Sequence, residues 1–500
     1  MPRSPMPLGT ISLDSTATAP LYRQLYDALR AAILEGRLIA GARLPSSRQL
    51  AADLGVGRNT VLAAYEQLTA EGYLEGRVGA GTRVAASLPE NLLEVGASRR
   101  RDGTRQSEPR ITLSRRGEAM ASVRRRAAGY DRAVGPAFQH GLPAIDEFPA
   151  AVWSRLLARR TRDPRSGFHG YETGAGFRPL REAIAVYAGA ARGVVCTPDQ
   201  VIVTAGAQGA LDLAARMVID PGDRVWVEEP GYLGARGAFL GAGARLVPVP
   251  VDADGLDIEA GIAAEENPRL IYVTPSHQFL LGVTLSLQRR LSLLEFARKA
   301  SAWIIEDDYD SEYRYTGRPI ASLQGLDRSA RTLYMGTFAK TLFPALRVGY
   351  LIVPDALVDP FSAAIRISGH TPPAAIQAAL ADFMGEGHFG AHIRRMLGVY
   401  AERRACLLAA LDGELSDFLV ASPSEGGIQI AGLLRGGLDD KDAAKAAAEN
   451  GIRTTPLSTY YLGASKAHGL HLGYAAIPEP TIRKSANRLA RALEKLAGGV

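Results

Sequence analysis

Cysteine is nearly absent from this 500-residue chain: Cys196 and Cys406 stand far apart, with no histidine or second cysteine nearby. Neither a disulfide framework nor a zinc site is expected, no metal is assigned, and both thiols read as small buried apolar groups. Long hydrophobic runs are missing too. No stretch approaches the roughly 20 apolar residues of a membrane helix, and the start, MPRSPMPLGTISLD, lacks the apolar segment of a secretory signal. A cytoplasmic protein without membrane contact is expected. Lysine is scarce, with seven in all and none before Lys299, so a lysine set among small and apolar residues stands out.

What is present is a globular composition, 47% hydrophobic and 22% charged, in a chain too long for one core. The net charge of +6 is unevenly placed. Residues 1–130 hold 19 Arg against 12 Asp plus Glu, so the first quarter accounts for the whole surplus. Basic charge gathered at one end suits nucleic acid, and a solvated tail would carry the same charge.

Residues 13–85 read as one unit. Leu21, Leu25, Leu29 and Ile33 recur every fourth position and mark one buried helix face. Ser47, Leu50, Ala51 and Leu54 suggest a second helix broken at Gly55, and Val61, Ala64, Tyr65 and Leu68 a third after Gly57. Tyr73-Leu74-Glu75 and Thr82-Arg83-Val84 flank the glycines between them as a short hairpin. Three helices and a hairpin predict a winged helix-turn-helix. Ser46 or Ser47 can cap the second helix while Arg48 projects toward a phosphate backbone, and Arg58, Asn59 and Thr60 open the third with donors and acceptors suited to base edges. Arg77, Gly79, Gly81 and Thr82 would shape the wing tip. A winged helix that binds protein instead would carry similar surface arginines.

Residues 86–134 hold arginine clusters at 99–101, 115–116 and 124–126 among Ser, Gly, Asp and Glu, and read as an extended basic linker. From 135 to 500, short apolar runs alternate with amphipathic segments: 201–204, 224–227, 270–273, 303–306, 333–335 and 348–353. That rhythm predicts an α/β unit, a large domain with a mainly parallel sheet and a smaller C-terminal α+β lobe.

Lys340 lies in Gly336-Thr337-Phe338-Ala339-Lys340-Thr341, just after one of those strands. A partly buried lysine loses its proton more easily, and its amine can join an aldehyde; taken as the only signal, it would read first as an exposed strand-end lysine. Glu306-Asp307-Asp308-Tyr309 ends another strand in acids, which elsewhere serve as helix caps or metal ligands. An ionised Asp307 can keep a pyridine nitrogen protonated, and Tyr309 can donate to a ring oxygen. Thr204-Ala205-Gly206-Ala207-Gln208 turns a strand into a helix whose first N–H groups suit a phosphate, with Arg347 as a charged second contact. Such turns are common, and the combination carries the argument.

Leu44-Pro45-Ser46-Ser47-Arg48, Arg58-Asn59-Thr60-Val61, Glu71-Gly72-Tyr73-Leu74-Glu75 and Gly79-Ala80-Gly81-Thr82 resemble the GntR family of regulators. That resemblance implies DNA contacts by Arg43, Ser46, Arg48, Arg58, Asn59, Thr60, Arg77, Gly79, Gly81 and Thr82. Residues 136–497 resemble fold-type I pyridoxal-phosphate (PLP) enzymes of the class I aminotransferase group. By that likeness Lys340 joins the cofactor's aldehyde, Asp307 pairs with the ring nitrogen, and Tyr309 meets the ring oxygen. Gly206, Ala207, Gln208, Thr337 and Arg347 hold the phosphate, Tyr232 stacks on the ring, and Ser276 and His277 line its oxygen side. Tyr171 resembles the residue donated to a neighbouring subunit's phosphate, which implies a homodimer.

A GntR-type head fused to such a domain resembles the MocR/GabR group. The expected function is PLP-dependent regulation of transcription, with operator DNA and a small-molecule effector, PLP itself or an amino compound, as partners. A working aminotransferase with an accessory DNA-binding head is the alternative, and whether turnover remains is open. The likeness breaks at Gly469-Leu470-His471-Leu472-Gly473-Tyr474, where His471 stands in place of the family's carboxylate-binding arginine. An imidazole cannot make that bidentate contact. This puts recognition of a simple amino acid in doubt and tilts the reading toward regulation of PLP synthesis. Arg453 could substitute, or simply lie on the surface. Phe279-Leu280-Leu281-Gly282 also departs from the family's pattern near the ring.

Overall fold

Helix α1 (Leu21–Leu34) forms because its apolar residues fall on one face, and Leu25, Tyr26, Leu29 and Ile33 are buried along it. Helix α2 (Ser47–Leu54) starts where the Ser46 hydroxyl accepts the Gln49 N–H at 3.2 Å and stops at Gly55, whose φ of 64° only glycine adopts readily. Helix α3 (Arg58–Ala70) buries Val61, Ala64, Tyr65 and Leu68, and the Tyr65 hydroxyl donates to the Pro45 carbonyl at 3.0 Å, tying α3 to the turn before α2. Strands β1 (Leu74–Arg77) and β2 (Gly81–Val84) pair antiparallel. Residues 42–44 add to the open side of β2, since Leu44 N–H donates to Thr82 O and Val84 N–H to Ala42 O. Their apolar faces close one small core.

The computed structural model describes residues 11–14, 17, 19–77, 81–86, 88, 113–126, 137–162, 174–317 and 320–498. The chain divides into two compact units, 1–111 and 112–500. Gly79, the Arg77 side chain and Tyr171 lie outside the described residues. Among those described, no helix is long and apolar enough to cross a membrane.

In the second unit the basic stretch is not wholly extended, because residues Arg115–Arg126 form helix α4. Its periodicity is weak, and docking explains it. The Met120 sulfur rests where Gly241 has no side chain, 2.7 Å from the position a Cβ would take, and Arg116 packs beside Gly243.

The main sheet runs in the order β3-β10-β9-β8-β7-β4-β5-β6. Its strands are β3 (Val201–Thr204), β4 (Arg224–Glu229), β5 (Arg245–Asp252), β6 (Gly255–Leu256), β7 (Leu270–Val273), β8 (Trp303–Asp308), β9 (Thr332–Thr337) and β10 (Gly349–Ile352). Pairings β5-β4-β7-β8-β9 are parallel, while β10 is antiparallel to both neighbours and β6 to β5. Strands β3, β7, β9 and β10 are buried throughout, which is why they read as unbroken apolar runs. The smaller lobe is an antiparallel sheet of β11 (Leu419–Ala421), β12 (Gln429–Leu434), β14 (Gly469–Gly473) and β13 (Thr455–Pro456) in that order, backed by the His388–Asp412 and Glu479–Gly498 helices. Cys196 and Cys406 are unpaired and half-buried, more exposed than their expected place in the core.

Candidate functional site

The carboxyl ends of β3, β8 and β9 converge on one cavity of about 150 Å³, as expected where ligands bind in open α/β sheets. After β3 the chain turns through Gly206 at φ 76° into helix α5 (Gly206–Val218). The turn is tight because Gly349 passes close to it: a Cβ there would lie 2.8 Å from the Gly206 carbonyl carbon and 3.0 Å from the Ala207 nitrogen. Arg347, itself at φ 54°, brings its guanidinium beside the same turn. Backbone N–H groups at a helix start, the Arg347 cation and Thr337 line the same cavity and make an anion cradle. Gln208 Nε2 donates to Gly234 O at 3.0 Å, which joins α5 to helix α6 (Leu233–Ala242), whose N-cap is Tyr232.

At the end of β8, Asp307 is buried and accepts a 2.6 Å hydrogen bond from the Tyr272 hydroxyl on Oδ2. Burial raises its pKa to about 7; the Tyr272 bond opposes that, Asp308 and Asp310 add to it, and Lys340 works against it. Its Oδ1 is buried with no partner among the described residues, an acceptor that a protonated ring nitrogen would satisfy. Lys340 Nζ donates to the Gly141 carbonyl at 2.7 Å. Burial lowers its pKa, with Asp310 and Asp307 pulling the other way, so the amine is easier to free of its proton than an exposed one. The Tyr309 hydroxyl lies 2.9 Å from the His277 carbonyl oxygen, to which it donates, and 3.0 Å from His277 Nδ1, which in turn sits 3.0 Å from Asp310 Oδ1.

Nine expected residues therefore line one cavity: Gly206, Ala207, Gln208, Tyr232, Asp307, Tyr309, Thr337, Lys340 and Arg347. Ser276 and His277 do not line the cavity. His277 stands behind Tyr309, and Ser276 accepts from Arg192, whose Nε holds Asp308 at 2.6 Å. Phe279, which opens the stretch that departs from the family's pattern, lines the cavity, and so does Tyr272, which the sequence motifs do not mark. A hydroxyl inside the fully buried strand β7 was the available signal for Tyr272, since a buried phenol needs a partner. Neither His471 nor Arg453 lines the cavity: His471 is wholly buried and stacks on His140 at 4.3 Å, and Arg453 donates to Gln139 Oε1 at 3.4 Å.

In the first unit, Arg43, Arg48, Arg58 and Asn59 are exposed. The Arg58 Nε donates to the Ser47 hydroxyl at 3.4 Å, so the starts of α2 and α3 lie side by side. Ser47 and Thr82 border the same groove, and the Arg43 guanidinium packs against Gly81. Ser46 is occupied as a cap, and Thr60 is half-buried at the first turn of α3.

Residues 21–84 match the model of bacterial regulatory proteins of the gntR family, and 149–489 that of aminotransferase class I and II. The chain is 46% identical to a probable rhizopine catabolism regulatory protein, MocR, of Rhizobium meliloti, over 96% of this chain and 95% of that one. It is 31% identical to the pyridoxine biosynthesis transcriptional regulator PdxR of Corynebacterium glutamicum, over 95% and 96%. Among solved structures it resembles the α-aminoadipate aminotransferase LysN of Thermus thermophilus complexed with N-(5'-phosphopyridoxyl)-L-leucine, with TM-score 0.70, 28% identity and coverage of 78% of this chain and 98% of that one. The cofactor of this fold is pyridoxal 5'-phosphate, and the unpartnered Asp307 oxygen, the buried Lys340 amine and the anion cradle fit it. A helix-turn-helix head for DNA and a PLP-binding aminotransferase unit thus share one chain, which belongs to the MocR/GabR-type transcriptional regulators.

Proposed function

We propose that the aminotransferase-like unit uses its PLP to sense a small amine rather than to turn it over, and that the response alters how the head holds operator DNA. PLP supplies an aldehyde that captures primary amines and an electron-withdrawing ring. In this reading Lys340 carries the aldehyde, Asp307 holds the ring nitrogen protonated and Tyr309 orients the ring oxygen. Gly206, Ala207, Gln208, Thr337 and Arg347 hold the phosphate, and Tyr232 covers the ring. Arg43, Ser46, Arg48, Arg58, Asn59, Thr60 and Gly81-Thr82 meet the DNA. The head spans 13–85 and the sensor 135–500, and the working form is a cytoplasmic homodimer to which Tyr171 contributes across the subunits.

The feature that supports the sensor reading is His471: the cavity keeps its lysine, acid and phosphate cradle, while the arginine that the family resemblance calls for as a carboxylate clamp is replaced by an imidazole, which is buried. The intact Lys340, Asp307 and Tyr309 favour the second reading, a working transaminase. The relative with the higher identity bears a name tied to rhizopine catabolism, the one with lower identity a name tied to pyridoxine biosynthesis. That order favours control of a catabolic gene set over control of PLP synthesis.

The test is to footprint the DNA upstream of the protein's own gene while adding candidate amines to the PLP-loaded chain and assaying keto acids. A change in protection without sustained keto-acid release is expected. Sustained release with unchanged protection would establish the transaminase instead. A visible absorbance band that survives Lys340→Ala would remove the assignment of that lysine.

A further inference from the structure

His471 lies on β14, with the rings of Phe279 and Tyr460 roughly perpendicular to its own at centroid distances of 5.8 Å each and the face of His140 stacked upon it. The Tyr460 hydroxyl lies 3.3 Å from His140 Nε2 and 3.5 Å from His471 Nδ1, and the Thr455 hydroxyl 3.5 Å from His140 Nδ1. His471 Nε2 is buried without a partner among the described residues. This cluster borders the cavity at two points. Phe279 lines the cavity, and Gly141, next to His140, receives the Lys340 amine on its carbonyl.

Burial keeps both imidazoles uncharged. It drives the pKa of His471 well below the usual histidine range, with His140 and Lys340 adding to the effect, and lowers that of His140 to about 3, with Lys340 adding. Among the described residues that line the cavity, the cations are Lys340 and Arg347, and Arg347 is committed to the turn at Gly206. Arg453 is turned to Gln139. A carboxylate brought against this cluster would shed its water with no guanidinium to replace it, whereas hydroxyl groups can both donate to and accept from imidazole and phenol.

We propose that His140, His471 and Tyr460 form a recognition subsite for the hydroxyl groups of a hydroxylated amine that lacks a carboxylate, and that the cluster selects against amines bearing one. This rests on the sensor reading and names the ligand class of that same site. Phe279 closes the apolar side of the subsite, and the neutral imidazoles supply its polar side.

Serinol and L-serine differ only in a hydroxymethyl group against a carboxylate, so they isolate the preference. The PLP-loaded full chain is titrated with each by calorimetry and by visible absorbance. Serinol is expected to act at a concentration at least ten-fold lower than L-serine. His471→Arg is expected to reverse the order, and His471→Gln, which keeps a neutral polar group, to preserve it, with thermal melts checking that both variants fold. An equal or better response to L-serine in the unaltered chain overturns the proposal, as does an unchanged preference in folded His471→Arg or indifference of the PLP-loaded chain to both amines. Should His471→Arg fail to fold, the unaltered chain and His471→Gln decide. Loss of any Lys340-dependent visible band is a different failure, since it removes the sensor reading itself.

Discussion

Replacing Asp307 by Asn is expected to stabilise the cofactor-free protein while weakening its hold on PLP. In the folded chain the Asp307 carboxyl titrates at about 7 against an ordinary 3.8, a difference that corresponds to at most roughly 4 kcal/mol against the ionised form at alkaline pH. The sign follows from linkage. A raised folded-state pKa gives stability that is complete below 3.8 and lost as the pH climbs through about 7, so ionised Asp307 works against folding at pH 8. Asn keeps an acceptor for the Tyr272 hydroxyl and carries no charge. Asp308, Asp310 and Lys340 also face this group, and subtracting variant from unaltered chain leaves the contribution of Asp307. Urea unfolding of the cofactor-free forms should show the advantage of Asp307→Asn growing by about 2 kcal/mol between pH 5 and pH 8. PLP titrations should show the opposite ranking, with affinity lower by about ten-fold or more once the charge-assisted bond to the ring nitrogen is gone. A variant no more stable than the unaltered chain at pH 8, or one that binds PLP equally well, would refute the reasoning.

Gly349→Val should abolish PLP binding while far-ultraviolet dichroism stays unchanged, because its side chain would press on the Gly206-Ala207 turn; retained PLP absorbance would show that the turn gives way. Arg58→Ala should weaken operator binding and reduce the slope of log affinity against log salt by about one, and an unchanged slope would place Arg58 off the phosphates. Met120→Ala should loosen α4 from α6 at a loss of about 1 kcal/mol, given that Met120 is 46% exposed. Hydrogen exchange across 115–126 measures this, and unaltered protection would mean that the sulfur contact contributes little.

Much of both units was legible from local pattern. The face of α1, the Ser46 cap and the Gly55 stop are properties of residues a few positions apart, and the structure keeps each. The buried strands were legible because strands covered on both faces are apolar throughout. Helix α4 was hidden because nothing in its sequence pairs Met120 with Gly241, and a helix this polar forms by docking. The family resemblance implies that Ser276 and His277 line the cavity, and the structure does not place them there. His277 instead stands behind Tyr309, whose hydroxyl it holds, and Ser276 is held by Arg192.

The lysine, the strand-end acid, the glycine turn and the replacement of an arginine by His471 are visible in the order of residues alone, because each belongs to a short motif whose chemistry is local. The electrostatic state of those groups is not. Lys340 loses part of its hold on its proton and Asp307 keeps a proton it would otherwise give up because strands far apart in sequence remove water from both. The pairing of His471 with His140, more than 300 positions away, arises in the same way. Two rings become a neutral wall only when the sheet of the smaller lobe closes against the segment that leads to Gly141, and dehydration, a property of the packed chain, then decides what that wall can bind.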